Sequence, residues 1–180
     1  MTIKIHRFGE LDSTSSEAIR MARAGEPEGA VIVADRQTAG RGREGRRWES
    51  PAGKNLYVSF LLRPTVTAKD AHEITGEIAR VVKDLLKEKG EFAIKPPNDI
   101  LLDGKKVAGI LCEMSSQGEK AGWVVVGIGL NVNAGPEDFS PEVRETATSL
   151  KVAFGTEFDR EEMLCDLVAA MERWYENFRR

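Results

Sequence analysis

Hydrophobic and polar residues alternate from Ile3 to Phe8, the period of a strand with one buried face, and the pattern then changes. From Asp12 the order Asp-Ser-Thr-Ser-Ser-Glu17 offers a capping box, Thr14 with Glu17 three residues on, and predicts a helix that stops at Gly25. Ala30 to Ala34 is an unbroken apolar run that reads as a buried strand, and Asn55 to Leu62 is a second β-type run that stops before Pro64. Beyond Ala71 the period lengthens. Ile74, Ile78, Val81, Val82, Leu85 and Leu86 fall on one helical face, with Thr67 as the expected N-cap and Gly90 as the stop.

Phe92 to Lys95 is followed by the rigid turn Pro96-Pro97-Asn98-Asp99 and by two strands, Ile100 to Leu102 and Lys106 to Met114. Asp103-Gly104 between them is a hairpin signal, so this part of the sheet should be antiparallel. Trp123 to Leu130 predicts a further strand. After a stretch rich in Gly, Pro and charge, a helix from Arg160 to Arg179 is expected with Asp159 as its cap. The class is therefore α+β: a mixed, largely antiparallel sheet flanked by helices. At 180 residues, with neither repeat nor linker, residues 1–180 read as a single domain.

Composition changes this picture only in places. No apolar run of about 18 residues exists and Met1 to His6 lacks signal-peptide shape, so the expectation is a cytoplasmic protein with no membrane partner. Cys112 and Cys165 are too few for a disulfide framework, and with His6 and His72 standing alone no Cys/His metal site is expected.

The net charge of −3 and the pI of 5.6 make one basic segment conspicuous. Gly40-Arg-Gly-Arg-Glu-Gly-Arg-Arg47 puts four arginines and three glycines into eight residues, between a buried strand and Trp48. Glycines let the backbone approach a ligand closely, and guanidiniums match phosphate or carboxylate oxygens. A solvated loop or a nucleic-acid patch is the competing reading. Positive charge confined to one loop cannot track a duplex, so a compact anion is the better fit.

Other residues extend the candidate site. Lys106 begins a strand, so its ammonium would project from a rigid element, and Gly109 on the same strand is either a close approach to ligand or a bulge. Ser13, Thr14 and Gln37 supply hydroxyls and an amide, the first two equally suited to helix capping. Trp48 suits stacking on a base or packing of the loop. Asn98 and Asp99, held by two prolines, suit a Mg²⁺ site, the orienting of an incoming lysine, or an ordinary Asx turn.

In chain order, Ser13-Thr14, Gly40-Arg-Gly-Arg43 with Trp48 and Ser50-Pro-Ala-Gly53, Lys95-Pro-Pro-Asn-Asp99 and Lys106-Val-Ala-Gly-Ile-Leu111, the motifs resemble those of the biotin–protein ligases. The resemblance runs from about Phe8 to Asn133. It implies the catalytic domain of that family, with the class II aminoacyl-tRNA synthetase-like fold. It also implies a reaction in which biotin and ATP give biotinyl-5′-AMP, followed by transfer to a lysine of a biotin carboxyl carrier protein of acetyl-CoA carboxylase type.

By that resemblance biotin is held by Ser13, Thr14, Gln37, Gly40, Arg41, Lys106 and Gly109, and ATP or the adenylate by Arg41, Arg43, Arg46, Trp48, Asn98, Lys106 and Asn131. Catalysis falls to Arg41, Lys106 and Asp99, with Mg²⁺ on Asp99 and a homodimer as a further expectation. The chain departs from the pattern at Pro96, where the family carries Trp. Neither an N-terminal helix-turn-helix nor a C-terminal small β domain is expected within it, so no DNA partner is. The rivals are a lipoate or octanoate ligase or transferase of the same fold, whose motifs are missing, and a catalytically silent biotin or nucleotide sensor.

Overall fold

The computed structural model describes residues 1–67, 71–117 and 120–178, and among them seven strands make one sheet. β1 (Lys4–Leu11) runs parallel to β2 (Ala30–Gln37), because helix α1 (Thr14–Arg23) carries the chain back between them. The remaining pairs are antiparallel: β3 (Leu56–Leu62), β4 (Phe92–Lys95), β5 (Asp99–Leu102), β6 (Lys105–Gln117) and β7 (Lys120–Leu130), in the spatial order β1-β2-β3-β7-β6-β5-β4. The mixed, largely antiparallel sheet is the one the pattern predicts.

Helix α2 (Ala71–Leu86) and the long C-terminal helix cover one face. Ile74, Ile78, Val82 and Leu86 of α2 are fully buried against even-numbered residues of the strands, among them Val58, Phe60, Val126, Ile128 and Ile110. Two short helices, α3 (Pro141–Arg144) and α4 (Leu150–Phe154), lead into that C-terminal helix, α5 (Arg160–Phe178). On the opposite face α1 packs with Ala18 and Ala22 on Ile32, Leu61 and Val125. Arg63 fastens this helix: its guanidinium donates to the carbonyls of Ala22, Glu26 and Gly122.

Some boundaries differ from the sequence reading for identifiable reasons. The N-cap of α1 is Ser13, whose hydroxyl accepts from the Ser16 amide, whereas Glu17 turns outward to Arg20; the expected Thr14–Glu17 box does not form and Thr14 points inward. β2 continues past Ala34 to Gln37 because Leu11 of β1 pairs with it there. Asp103 and Gly104 both take positive φ, 51° and 77°, as the hairpin signal requires. Asp159 caps α5 by accepting from the amides of Glu161 and Glu162, while Arg179 lies outside the described residues. Thr67 stands in an isolated bridge ahead of α2, with residues 68–70 outside the described set. Among the described residues no helix is long and apolar enough to cross a membrane.

Candidate active site

Side chains alternate across a strand, so on β3, on β7 and along β6 from Ala108 the even-numbered residues that build the core leave the odd-numbered ones on the α1 face. There the register places Tyr57, Gly129 and Gly109 in one row across β3, β7 and β6, and Ser59, Gly127 and Leu111 in the next. Three of these six positions are glycine, which lowers the floor between α1 and the arginine loop. Ser13, Thr14, Ser15, Gln37, Arg41, Arg43, Trp48, Asn98 and Lys106 stand around it. The space they leave is only about 40 Å³ because the Trp48 ring lies on the glycines. A Cβ on Gly129 would come within 2.4 Å of that ring, and one on Gly109 within 2.8 Å.

One end of the floor is polar. Ser59, the single polar residue of β3 and 0 % exposed, donates to the Thr14 hydroxyl at 2.9 Å, and the Ser15 hydroxyl lies 3.1 Å from Ser59. Thr14 presents both its backbone N–H (2.8 Å) and its hydroxyl (3.2 Å) to the Gln37 carbonyl oxygen. The other end is cationic, with the Lys106 ammonium 5.1 Å from the centre of the Trp48 ring.

The arginine loop is an ordered lasso whose mouth is closed by Trp48 N–H donating to Gly40 O at 2.9 Å and whose limbs meet in an Arg41–Arg47 bridge. Its arginines are distributed. Arg41 pairs with Glu113 at the far end of the floor and reaches Ser16 at 3.5 Å; Arg43 donates to Asn98 Oδ1 at 3.3 Å; Arg46 turns outward to Glu44 at 2.6 Å. The Arg46 guanidinium holds the Glu44 carboxyl below the usual carboxylate range. Asn98 is bolted to β6 by donating its amide to Ile110 O at 2.9 Å.

On the other side of Trp48 and Lys106 runs a larger groove of about 520 Å³, a size that suits a nucleotide. Arg46, Lys95, Asp99, Asn131 and the 139–147 segment line it. The Lys106 ammonium meets Asp99 Oδ1 at 2.7 Å, and its backbone is clamped between Thr146 O and Thr148 N. Asn131 is 4 % exposed, and its carboxamide is committed to Thr148 O and Asn55, so it pins the wall of the groove. The structure thus brings together Ser13, Thr14, Gln37, Arg41, Arg43, Trp48, Asn98, Lys106 and Gly109 around one cavity. Arg46, Asp99 and Asn131 stand with Trp48 and Lys106 around the adjoining groove. Gly40 is packed at the loop mouth.

Sequence reasoning gave no site role to Ser15, Ser50, Tyr57, Ser59 or Glu113, although Ser50 opens the Ser50-Pro-Ala-Gly53 motif. Ser59 was detectable as a serine inside an apolar strand; Ser15, Tyr57 and Glu113 carry no local signal. Cys112, on the core face of β6, has its thiol pushed up to about 11 by burial, which removes it as a nucleophile at neutral pH.

The architecture is that of biotin protein ligase catalytic domains. The biotin protein ligase of Aquifex aeolicus in complex with biotin and ATP superposes with a TM-score of 0.78 and 32% identity, over 98% of this chain and 72% of that one. Among curated relatives, the bifunctional ligase/repressor BirA of Bacillus subtilis (strain 168) is 39% identical over 170 residues, 93% of this chain and 52% of the relative. The biotin–[acetyl-CoA-carboxylase] ligase of Paracoccus denitrificans is 40% identical over 168 residues, 91% of this chain and 69% of the relative. Residues 9–131 match the biotin/lipoate A/B protein ligase family, and the chain belongs to it. It spans about half the length of the two Bacillus BirA relatives it matches.

Proposed function

We propose that this chain activates biotin with ATP to biotinyl-5′-AMP and passes the biotinyl group to a lysine of a biotin carboxyl carrier protein. The observation that carries the reading is that Trp48 and Lys106 are the two residues shared by the small cavity and the larger groove. A carboxylate arriving from the cavity and an α-phosphate arriving from the groove meet at the Lys106 ammonium. The hydroxyl and amide groups at the far end suit the donors and acceptors of a ureido ring. An octanoyl or lipoyl chain would leave them unpaired, which disfavours the rival acyl substrates.

In this reading the carboxylate attacks the α-phosphorus and pyrophosphate leaves. Lys106 and Arg43 stabilise the charge gathered on the α-phosphate, and Arg41 joins them when the ligand's anion replaces Glu113 as its partner. Asp99 keeps lone pairs beyond its bond to Lys106, and one carboxylate with phosphate and water oxygens is a sufficient ligand set for Mg²⁺. Bound there, the ion would neutralise phosphate charge. Trp48, with its buried Nε1 unpartnered in the structure, has to leave the glycine floor for a ligand to enter, and its ring is then free to cover the base.

A cytoplasmic location and a homodimer belong to the same proposal. The test is biotin-dependent exchange of pyrophosphate into ATP. Exchange with biotin and none with octanoate or lipoate supports the reading, and equal exchange with all three defeats it.

A further inference from the structure

The polar end of the cavity is a hydrogen-bond chain with a fixed direction. The Thr14 backbone N–H can only donate, so the group it meets on Gln37 is the carbonyl oxygen and the Gln37 amide nitrogen faces the other way. Thr14 spends its one hydroxyl proton on the same oxygen. Ser59 then donates to Thr14, and Ser15, whose neighbour Ser59 has no proton left, donates to Ser59. What faces the cavity is therefore an acceptor on Ser15, whose Oγ would lie 2.5 Å from a Cβ on Gly127, and the second N–H of Gln37.

The chain does not end at Gln37. Its amide nitrogen donates to Ser50 Oγ at 2.9 Å, and Ser50 donates onward to the Trp48 carbonyl at 3.2 Å. Next to Ser50 the Pro51 carbonyl accepts from the Tyr57 hydroxyl at 3.0 Å, so this stretch is held to the floor from two sides. Gly40 fills the centre of the junction: a Cβ there would meet the Trp48 carbonyl at 2.4 Å, Ser50 Oγ at 2.8 Å and Gln37 Nε2 at 3.0 Å. The clasp is thus packed too tightly for a side chain. The residue that reads the ligand's polar ring and the carbonyl that fixes the downstream limb of the arginine loop are joined through one hydroxyl.

We infer that Ser50 is a positioning residue that couples recognition of the ureido ring at Gln37 to closure of the Gly40–Trp48 loop. The inference rests on the biotin reading above. A ligand carbonyl that accepts the free Gln37 N–H holds the amide in its plane, and with it the Ser50 hydroxyl and the Trp48 carbonyl. Without that hydroxyl the Gln37 amide is held only at its carbonyl oxygen by Thr14 and the Trp48 carbonyl loses its donor, so a bound head group no longer stiffens the loop that carries Arg41 and Arg43.

The experiment combines biotin titration with trypsin cleavage at the loop arginines in wild type, Ser50→Ala, Ser50→Thr, Gln37→Ala and the Gln37→Ala/Ser50→Ala double variant. Ser50→Ala should bind biotin about tenfold more weakly, the scale of one neutral hydrogen bond. At saturating biotin its loop should still be cut as fast as in the free variant, whereas the wild-type loop is protected. Ser50→Thr keeps the hydroxyl and should behave as wild type. In the Gln37→Ala background, removing Ser50 should weaken binding no further, because its route to the ligand is gone.

Full protection of the saturated Ser50→Ala loop, or independent and additive losses in the double variant, would overturn the inference. Failure of the biotin reading looks different. Wild type itself would then bind no biotin, while faster cleavage of the ligand-free Ser50→Ala loop would still support the clasp and unchanged cleavage would overturn it.

Discussion

Gly109 of β6 stands directly opposite Gly129 of β7, and the indole of Trp48 rests on both. Two facing glycines in the middle of a long antiparallel ladder sacrifice local strand stability, and what they provide is a floor low enough for a ring.

The contact is testable by stability alone. Gly129→Ala should cost about 1–3 kcal/mol in urea denaturation, as expected for overpacking against a ring 2.4 Å away. In a Trp48→Ala background most of that penalty should vanish. Additive penalties in the two single variants would mean that the ring does not occupy the floor.

Lys106 lines both spaces, and Arg43 lines the cavity beside it. Lys106→Ala and Arg43→Ala should each slow biotin-dependent pyrophosphate exchange about a hundredfold. Their unfolding midpoints should hardly move, since partly exposed ion pairs such as Lys106–Asp99 contribute at most about 1 kcal/mol. Exchange within a few fold of wild type in both variants would separate the reaction from these side chains.

Arg63 lies away from the cavity and holds the C-terminal end of α1 through bonds to three backbone carbonyls. Arg63→Met keeps the length of the stem and leaves those carbonyls unsatisfied. It should lower stability by about 2–3 kcal/mol while kcat of the folded enzyme stays unchanged. Denaturation and initial-rate measurements on one preparation check both halves.

The two cysteines should differ sharply toward a thiol reagent at pH 8. Cys165 is exposed, whereas the Cys112 thiol, at about 11, is almost wholly protonated there and is partly buried on the core side of β6. Mass spectrometry should find one label per native chain and two after denaturation. Rapid native labelling of Cys112 would contradict its burial and restore it as a candidate nucleophile.

Strand and helix placement was legible because it depends on neighbours in sequence. The 2-residue period of β1, the helical stripe from Ile74 to Leu86 and the Asp103-Gly104 turn each satisfy their own geometry before any tertiary contact forms. The assignment of Thr14 failed for the complementary reason. Ser13 and Thr14 have equal capping chemistry in isolation, and only the arrival of Gln37 and Ser59 from β2 and β3 draws Thr14 inward and leaves the cap to Ser13.

The sequence by itself determined the parts: an arginine loop of anion-binding composition, a lysine at the head of a strand, and an alternation that sends one set of residues to the core. Those follow from side-chain chemistry and local backbone preference. Only the tertiary structure decided which residues meet. Strand register aligns Gly109 with Gly129 and Ser59 with Gly127, closure of the loop lays Trp48 on the first pair, and the return of Ser50 to Gln37 completes the clasp. Each of those contacts joins segments separated along the chain, where a residue's own neighbours carry no information about its partner.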